Sequence, residues 1–248
     1  MKRKFQDLLA SKKALGMFSM IPDGIAVEIV GYAGFDFIII DEEHTAYTPQ
    51  ETINLIRAAE CSDMVSIVRV PEGNEVYVKK ALDSGASGIM IPNVANRKMV
   101  EDAITFAKFP PEGRRGACPC VRANQYGGGA DYYNQANADV SVIALVEGTE
   151  GLANFSDILK TEHLDAICLG PVDLSVSMGH ADDMYHPEVE AAIKRMIGEA
   201  NAAGVRAGVF TMSKEAGKKY LDFGADYLVF GTDTIIFYEV CKDIRDTF

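Results

Sequence analysis

Phe35-Asp36-Phe37-Ile38-Ile39-Ile40 runs directly into Asp41-Glu42-Glu43-His44. The first six residues are an almost unbroken apolar run rather than an alternating one. That is the pattern of a parallel strand covered by helices on one face and packed against an interior on the other. The next four are three carboxylates and an imidazole. A buried strand that ends in titratable groups is what a parallel α/β architecture produces where its strand ends form a site.

Outward from this stretch, seven more apolar runs read as strands, over residues 15–20, 65–70, 88–91, 140–146, 166–169, 205–210 and 227–230, beside 35–40 itself. The segments between them carry helix signals. Thr48-Pro49-Gln50-Glu51 is a capping box with proline at the first helical position. Asn96 is placed to cap a helix with Val100, Ile104 and Ala107 on one face, and Pro187 opens another with Val189, Ile193, Met196 and Ala200. Gly34, Gly85 and Gly224 each stand just past a helix and before a strand, where a left-handed cap is needed. Eight such units, with no nucleotide-binding glycine fingerprint after the first strand, predict an eight-stranded parallel (β/α) TIM barrel, an α/β fold spanning residues 1–248 as a single domain. Two long connections, 109–139 and 175–186, are expected to be lids or interface segments.

Bulk properties narrow the function. The chain carries 36 carboxylates against 24 lysines and arginines, net charge −12. That argues against nucleic acid or an anionic membrane as partner, since both select basic patches. No apolar run is long enough to span a bilayer, and residues 1–10 start basic but turn amphipathic at Phe5, Leu8 and Leu9 without a signal-peptide core. Five scattered cysteines read as reduced thiols of a cytoplasmic protein, and Cys118-Pro119-Cys120 lacks a second pair at zinc spacing.

The residues at and just past the strand ends give the candidate site. The second strand ends in Asp41 to His44, the third in Arg69, the fifth in Glu147, and the sixth runs into Gly170-Pro171-Val172-Asp173. Taken singly, Asp173 could be a helix cap and Glu147 a solvated loop residue; together they converge on one barrel mouth. Glu147 and Asp173 suit a hard divalent cation. His44, with Asp41 or Glu43 to orient it, is a candidate acid or base, and Arg69 offers a permanently charged planar fork for an enolate or carboxylate oxygen. The lysines fall on helices, their edges or the N-terminus, which disfavours Schiff-base chemistry and leaves a metal as the electron sink.

Several motifs occur together in order. They are Asp41-x-Glu43-His44, Val68-Arg69, Leu82-Asp83-x-Gly85-Ala86-x-Gly88-Ile89-Met90-Ile91-Pro92, Phe109-Pro110-Pro111-x-Gly113-x-Arg115-Gly116, the Glu147 segment, and Gly170-Pro171-x-Asp173-Leu174-Ser175. Over essentially the whole chain they resemble the HpcH/HpaI aldolases, class II pyruvate aldolases that cleave 2-keto-4-hydroxy acids such as 4-hydroxy-2-oxoheptanedioate or 2-dehydro-3-deoxyglucarate. The resemblance implies a barrel of the phosphoenolpyruvate/pyruvate type and a divalent cation (Mg, Mn or Co) on Glu147 and Asp173. It further implies a catalytic set of His44, Arg69 and Asp41, with Asp41 supporting the histidine. The carboxylate of pyruvate would rest on backbone around Gly170, Pro171, Val172 and Asp173, and an aldehyde would be the second product. It leaves open whether His44 or a cation-activated water is the base. It also implies an exchanged terminal helix, a homohexamer built as a trimer of dimers, and an Asp83 that reaches a neighbouring subunit's site.

Several positions depart from that pattern. Leu145 stands where glutamine is frequent, Asn93 where methionine is common, and Val172 in place of alanine. Two other functions fit the same barrel: a lyase acting on a malyl- or citryl-coenzyme A thioester, and a catalytically silent metabolite-binding barrel. The Asp-x-Glu-His motif and the short chain count against the first. The retention of Glu147, Asp173, His44 and Arg69 counts against the second.

Overall fold

The structure, a computed structural model, describes residues 4–181 and 183–248. The basic start of the N-terminal segment, residues 1–3, lies outside the described residues. Eight parallel strands close into a barrel in sequence order, β8 returning to β1.

The chain opens with α1 (Phe5–Ser11) and then alternates β1 (Ala14–Ser19), α2 (Gly24–Tyr32), β2 (Phe37–Asp41), α3 (Pro49–Cys61), β3 (Val65–Arg69), α4 (Glu75–Asp83), β4 (Gly88–Ile91) and α5 (Arg97–Ala107). A 3-10 turn over Arg122–Gly127 and α6 (Tyr132–Asp139) occupy the first long connection. After them come β5 (Ser141–Val146), α7 (Thr149–Ala153), α8 (Phe155–Ile158), β6 (Ala166–Leu169), α9 (Pro171–Ser177) and α10 (Pro187–Ala203). The chain ends with β7 (Arg206–Thr211), α11 (Lys214–Asp222), β8 (Tyr227–Thr232) and α12 (Asp233–Thr247). The expected capping box is present at Thr48, the helix starts at Asn96 and Pro187 stand as expected, and Gly34, Gly85 and Gly224 have φ of 95°, 97° and 105°.

The strands at 88–91 and 166–169 stand as predicted, the limits of the others move by at most two residues, and the second strand shows why. Asp36 spends its carboxylate on the Leu15 N–H at 3.0 Å and on Lys12 at 2.5 Å, pinning the strand entrance. The run therefore begins at Phe37, and it continues one residue further than expected, to Asp41, which lies directly opposite Arg69 of β3.

Side chains on each strand alternate between two cores. Ile38 and Ile40, Val142 and Val146, and Ile167 and Leu169 face the helices. Phe37 and Ile39, Val65 and Ile67, Ile143 and Leu145 fill the interior. Extending the same two-residue step puts Asp41, Arg69 and Glu147 one layer above Ile39, Ile67 and Leu145. The interior is thus apolar up to its last layer and charged there.

The opposite end is closed by α1, whose Phe5, Leu8 and Leu9 join the interior core. The rings of Phe5, Phe37 and Tyr227 meet edge to face at 5.2, 5.3 and 5.8 Å, each pair worth ~0.5–1.5 kcal/mol beyond its buried area. Two strand glycines make room for this plug. A Cβ on Gly16 would come within 2.2 Å of the Phe37 ring, and one on Gly208 within 2.0 Å of Tyr227.

At the C-terminus, Asp233 roots α12 by accepting the N–H groups of Met20 and Ile21 at 2.9 and 3.1 Å. Beyond that root the helix leaves Phe237, Tyr238, Val240 and Ile244 exposed. Ile29, Phe35, Met212, Phe230 and Ile236 line an apolar groove beside it. Among the described residues no helix is long and apolar enough to cross a membrane.

Candidate active site

The register of β2 and β3 builds the first part of the site. Because Asp41 and Arg69 are cross-strand partners pointing the same way, the guanidinium meets the carboxylate in a fork: Nε donates to Oδ1 at 2.8 Å and Nη2 to Oδ2 at 2.7 Å. Asp41 is fully buried, which a carboxylate tolerates only when its lone pairs are taken. Its Oδ1 also accepts the backbone N–H groups of Glu43 and His44, at 3.1 and 3.4 Å. Phe18 lies under the other side of the guanidinium, 4.5 Å from ring centroid to Cζ.

Asp41 therefore braces Arg69, and it touches His44 only through that residue's backbone. Of the two partners the sequence offers the imidazole, the structure places Glu43 beside it, with Oε2 3.7 Å from His44 Nε2. The same Oε2 is 3.1 Å from Arg69 Nη1, and Oε1 accepts from Asn93 Nδ2 at 2.9 Å. Burial pushes the Glu43 carboxyl above the usual range, while Arg69 and His44 pull it back down. His44 itself, its side chain 60% exposed, stands on the rim.

Glu147 follows β5 and is 5% exposed, so it is no solvated loop residue. Its Oε1 accepts the Asn93 N–H at 2.8 Å. Its Oε2 lies against Gly170, where an added Cβ would come within 2.8 Å of it; the absence of a side chain at Gly170 makes room for the carboxylate. Burial, with smaller contributions from Asp173 and Glu43, raises its pKa to about 7 against the pull of the Asn93 N–H and Arg69. Asp173 is exposed in the first turn of α9, whose N-cap is Gly170 rather than Asp173.

Around Gly170 to Asp173 fewer backbone donors are free than the motif suggests. The Gly170 N–H is used on Val146 O at 3.1 Å, and Pro171 has none. Val172 and Asp173 remain, as first-turn groups without intrahelical acceptors. Leu145 is buried in the interior layer below Glu147, the side its register predicts.

Asp83 is not brought to this mouth within its own chain. It ends α4 at the closed end of the barrel, where its Oδ1 accepts from Arg115 Nη2 at 2.7 Å, beside the Tyr132 hydroxyl. Lys108 is buried too, but it donates to the carbonyls of Asn137 and Val140 before β5, at that same end. One cluster escapes a reading of the sequence by strand ends: His180 and His186 stack at 3.6 Å, and His180 Nε2 lies 2.8 Å from Glu188. Their close spacing around the start of α10 is the signal that could have found it.

The barrel and the charged layer at its mouth define a TIM-barrel protein with its candidate site at the C-terminal ends of the strands. Residues 14–239 match the HpcH/HpaI aldolase/citrate lyase family model, and the chain belongs to that family. It is 34% identical over 246 residues to the 5-keto-4-deoxy-D-glucarate aldolase of Escherichia coli O6:H1, covering 99% of this chain and 96% of that one. Among solved structures it superposes on an HpcH/HpaI family protein from Burkholderia cenocepacia J2315 with a TM-score of 0.92 and 30% identity, over 98% and 97% of the two chains. The citrate synthase SbnG gives 0.89 and 30%, over 98% and 96%. This protein is thus an aldolase or lyase of the HpcH/HpaI type acting on a small molecule.

Proposed function

We propose that the chain catalyses reversible cleavage of a 4-hydroxy-2-keto acid to pyruvate and an aldehyde, with a divalent cation held by Glu147 and Asp173. The observation that carries this reading is Glu147: a buried carboxylate, beside two further carboxylates, at the end of a barrel strand. The donors are all oxygen, and among the described residues Arg69 alone sets a permanent positive charge against Asp41, Glu43, Glu147 and Asp173, an excess of carboxylates that fits a hard metal ion. When bound, such an ion would polarise the keto group and offset the charge that accumulates on its oxygen as the carbon–carbon bond breaks.

The chain's own groups supply the rest. Arg69, fixed by Asp41 and Glu43, holds a substrate oxygen with a guanidinium that cannot lose its proton. The Glu43–His44 pair takes the proton off the 4-hydroxyl as the C3–C4 bond breaks, and that proton is then made good at C3, which turns the enolate into pyruvate; the aldol direction runs the same transfers in reverse. Val172 and Asp173 offer backbone N–H groups to the substrate carboxylate. The test is a cleavage panel of free 4-hydroxy-2-keto acids, including 5-keto-4-deoxy-D-glucarate, read as released pyruvate. Turnover of a malyl- or citryl-coenzyme A thioester with none of the free acids would overturn the proposal.

Leu145 offers a check on specificity. A glutamine there would place an amide beneath Glu147 in an otherwise apolar layer, at a stability cost of ~1–3 kcal/mol unless it finds partners. Leu145→Gln is expected to change the diastereomer ratio of the aldol product formed from pyruvate and a hydroxyaldehyde, with little change in metal affinity. An unchanged ratio and rate would show that this layer does not reach the substrate.

The groove beside α12 and the helix's exposed apolar face complement each other in character, and a second copy of the chain is the occupant we assign to them. The assembly is then a homo-oligomer with exchanged terminal helices, a hexamer in the resemblance. Phe237→Asp is expected to shift the protein to smaller species in sedimentation, and an unchanged distribution would remove α12 from the interface.

A further inference from the structure

Asn93 comes after Pro92 just past β4, with its backbone in the left-handed region at φ 53°. Most side chains avoid that region, while asparagine adopts it several times more often. Here it accompanies a double connection. The backbone N–H donates to Glu147 Oε1 at 2.8 Å, and the side-chain Nδ2 donates to Glu43 Oε1 at 2.9 Å.

The two carboxylates come from the ends of different strands, β5 and β2. Among the described residues Asn93 alone hydrogen-bonds to both side chains. Each bond takes an Oε1 and so turns the other oxygen to its own task. Glu147 Oε2 is left against Gly170, and Glu43 Oε2 is left facing Arg69 Nη1 at 3.1 Å and His44 Nε2 at 3.7 Å. An apolar side chain at this position offers Glu43 no donor and is disfavoured in the left-handed backbone that aims the N–H at Glu147.

We propose that Asn93 is a positioning residue that ties the proton-transfer carboxylate Glu43 to the cation-binding carboxylate Glu147, setting each through a separate bond. The roles of the two glutamates rest on the aldolase reading of the site; the tether itself rests on geometry. Its two halves separate by mutation. Glycine at this position keeps the left-handed backbone, and with it the N–H on Glu147, but deletes the amide on Glu43. Alanine deletes the amide and also disfavours the left-handed backbone.

The experiment compares wild type, Asn93→Gly and Asn93→Ala in two measurements: Mn²⁺ binding to the resting protein by calorimetry, and steady-state cleavage. Asn93→Gly is expected to bind Mn²⁺ within about twofold of wild type while kcat falls about tenfold and KM stays within about twofold, the loss of one hydrogen bond to a charged group. Asn93→Ala is expected to lose about fivefold or more in Mn²⁺ affinity and to lose kcat as well. A glycine variant with wild-type kcat would overturn the role at Glu43. Equal Mn²⁺ affinity in the glycine and alanine variants would overturn the role at Glu147. If the wild type cleaves no keto acid, the aldolase reading fails and with it the role at Glu43, and the Mn²⁺ comparison still decides the bond to Glu147.

Discussion

Arg69→Lys is expected to lower kcat by about two to three orders of magnitude, while KM for the keto acid moves only a few-fold. The size of the effect comes from how Arg69 is held. Two of its nitrogens are committed to Asp41 in a planar fork, a third faces Glu43, and the Phe18 ring supports it from the other side. An ammonium keeps the charge but cannot meet both Asp41 oxygens and still reach Glu43 and a substrate oxygen. It leaves the buried Asp41 carboxylate short of partners, so the variant should also melt lower than wild type. Kinetics at temperatures well below that transition separate the two effects. Normal turnover with only a raised KM would make Arg69 a binding residue and nothing more.

Chelation is the second large effect. EDTA should abolish exchange of the pyruvate methyl protons with deuterated solvent, followed by NMR, and Mg²⁺, Mn²⁺ or Co²⁺ should restore it. Borohydride treatment with pyruvate should trap no adduct, since the one described lysine that is deeply buried, Lys108, sits at the far end of the barrel. Glu147 gives the same experiment a pH signature. Its folded-state pKa, raised to about 7, lies above the ordinary carboxylate value. Between those two values the metal-free folded state holds more protons than the unfolded one. Its stability should therefore fall as pH rises from about 5 through 7. A cation bound to the ionised carboxylate removes that penalty, so the gap in Tm between metal-loaded and metal-free protein should widen over the same interval. Full proton exchange in a chelated sample, or a gap that does not change with pH, would sink the assignment of Glu147.

Much of the fold was legible in the sequence because a barrel strand packed on both faces must be apolar on both, and eight such runs stand out. The same property hides detail. In Phe37 to Ile40 neither face is polar, so which residues point inward shows only where the run meets Asp41. Convergence of Asp41, Arg69 and Glu147 could be read from strand ends, because parallel strands in register bring their ends to one face. Which carboxylate serves which cation could not. Asp41 and Glu43 are two residues apart, and only the pairing of Asp41 with Arg69 across β2 and β3 leaves Glu43 for the imidazole. Asn93 was visible as a departure from relatives, yet its effect depends on a left-handed backbone that local sequence merely permits. The closing of the barrel by α1 escaped for a different reason: an amphipathic segment does not say which surface it will cover.

That closure has a bearing on traffic. With Phe5, Phe37 and Tyr227 filling one end and Ile143, Leu145 and Cys168 stacked above them, the described residues make the barrel a cup with a single doorway. Reactants and products share it. In the proposed reaction the keto-acid fragment would sit deepest, next to the buried Glu147, and the aldehyde above it towards His44 at the exposed rim. On that reading the aldehyde is expected to leave first and pyruvate last, with architecture rather than relative affinity setting the order of events.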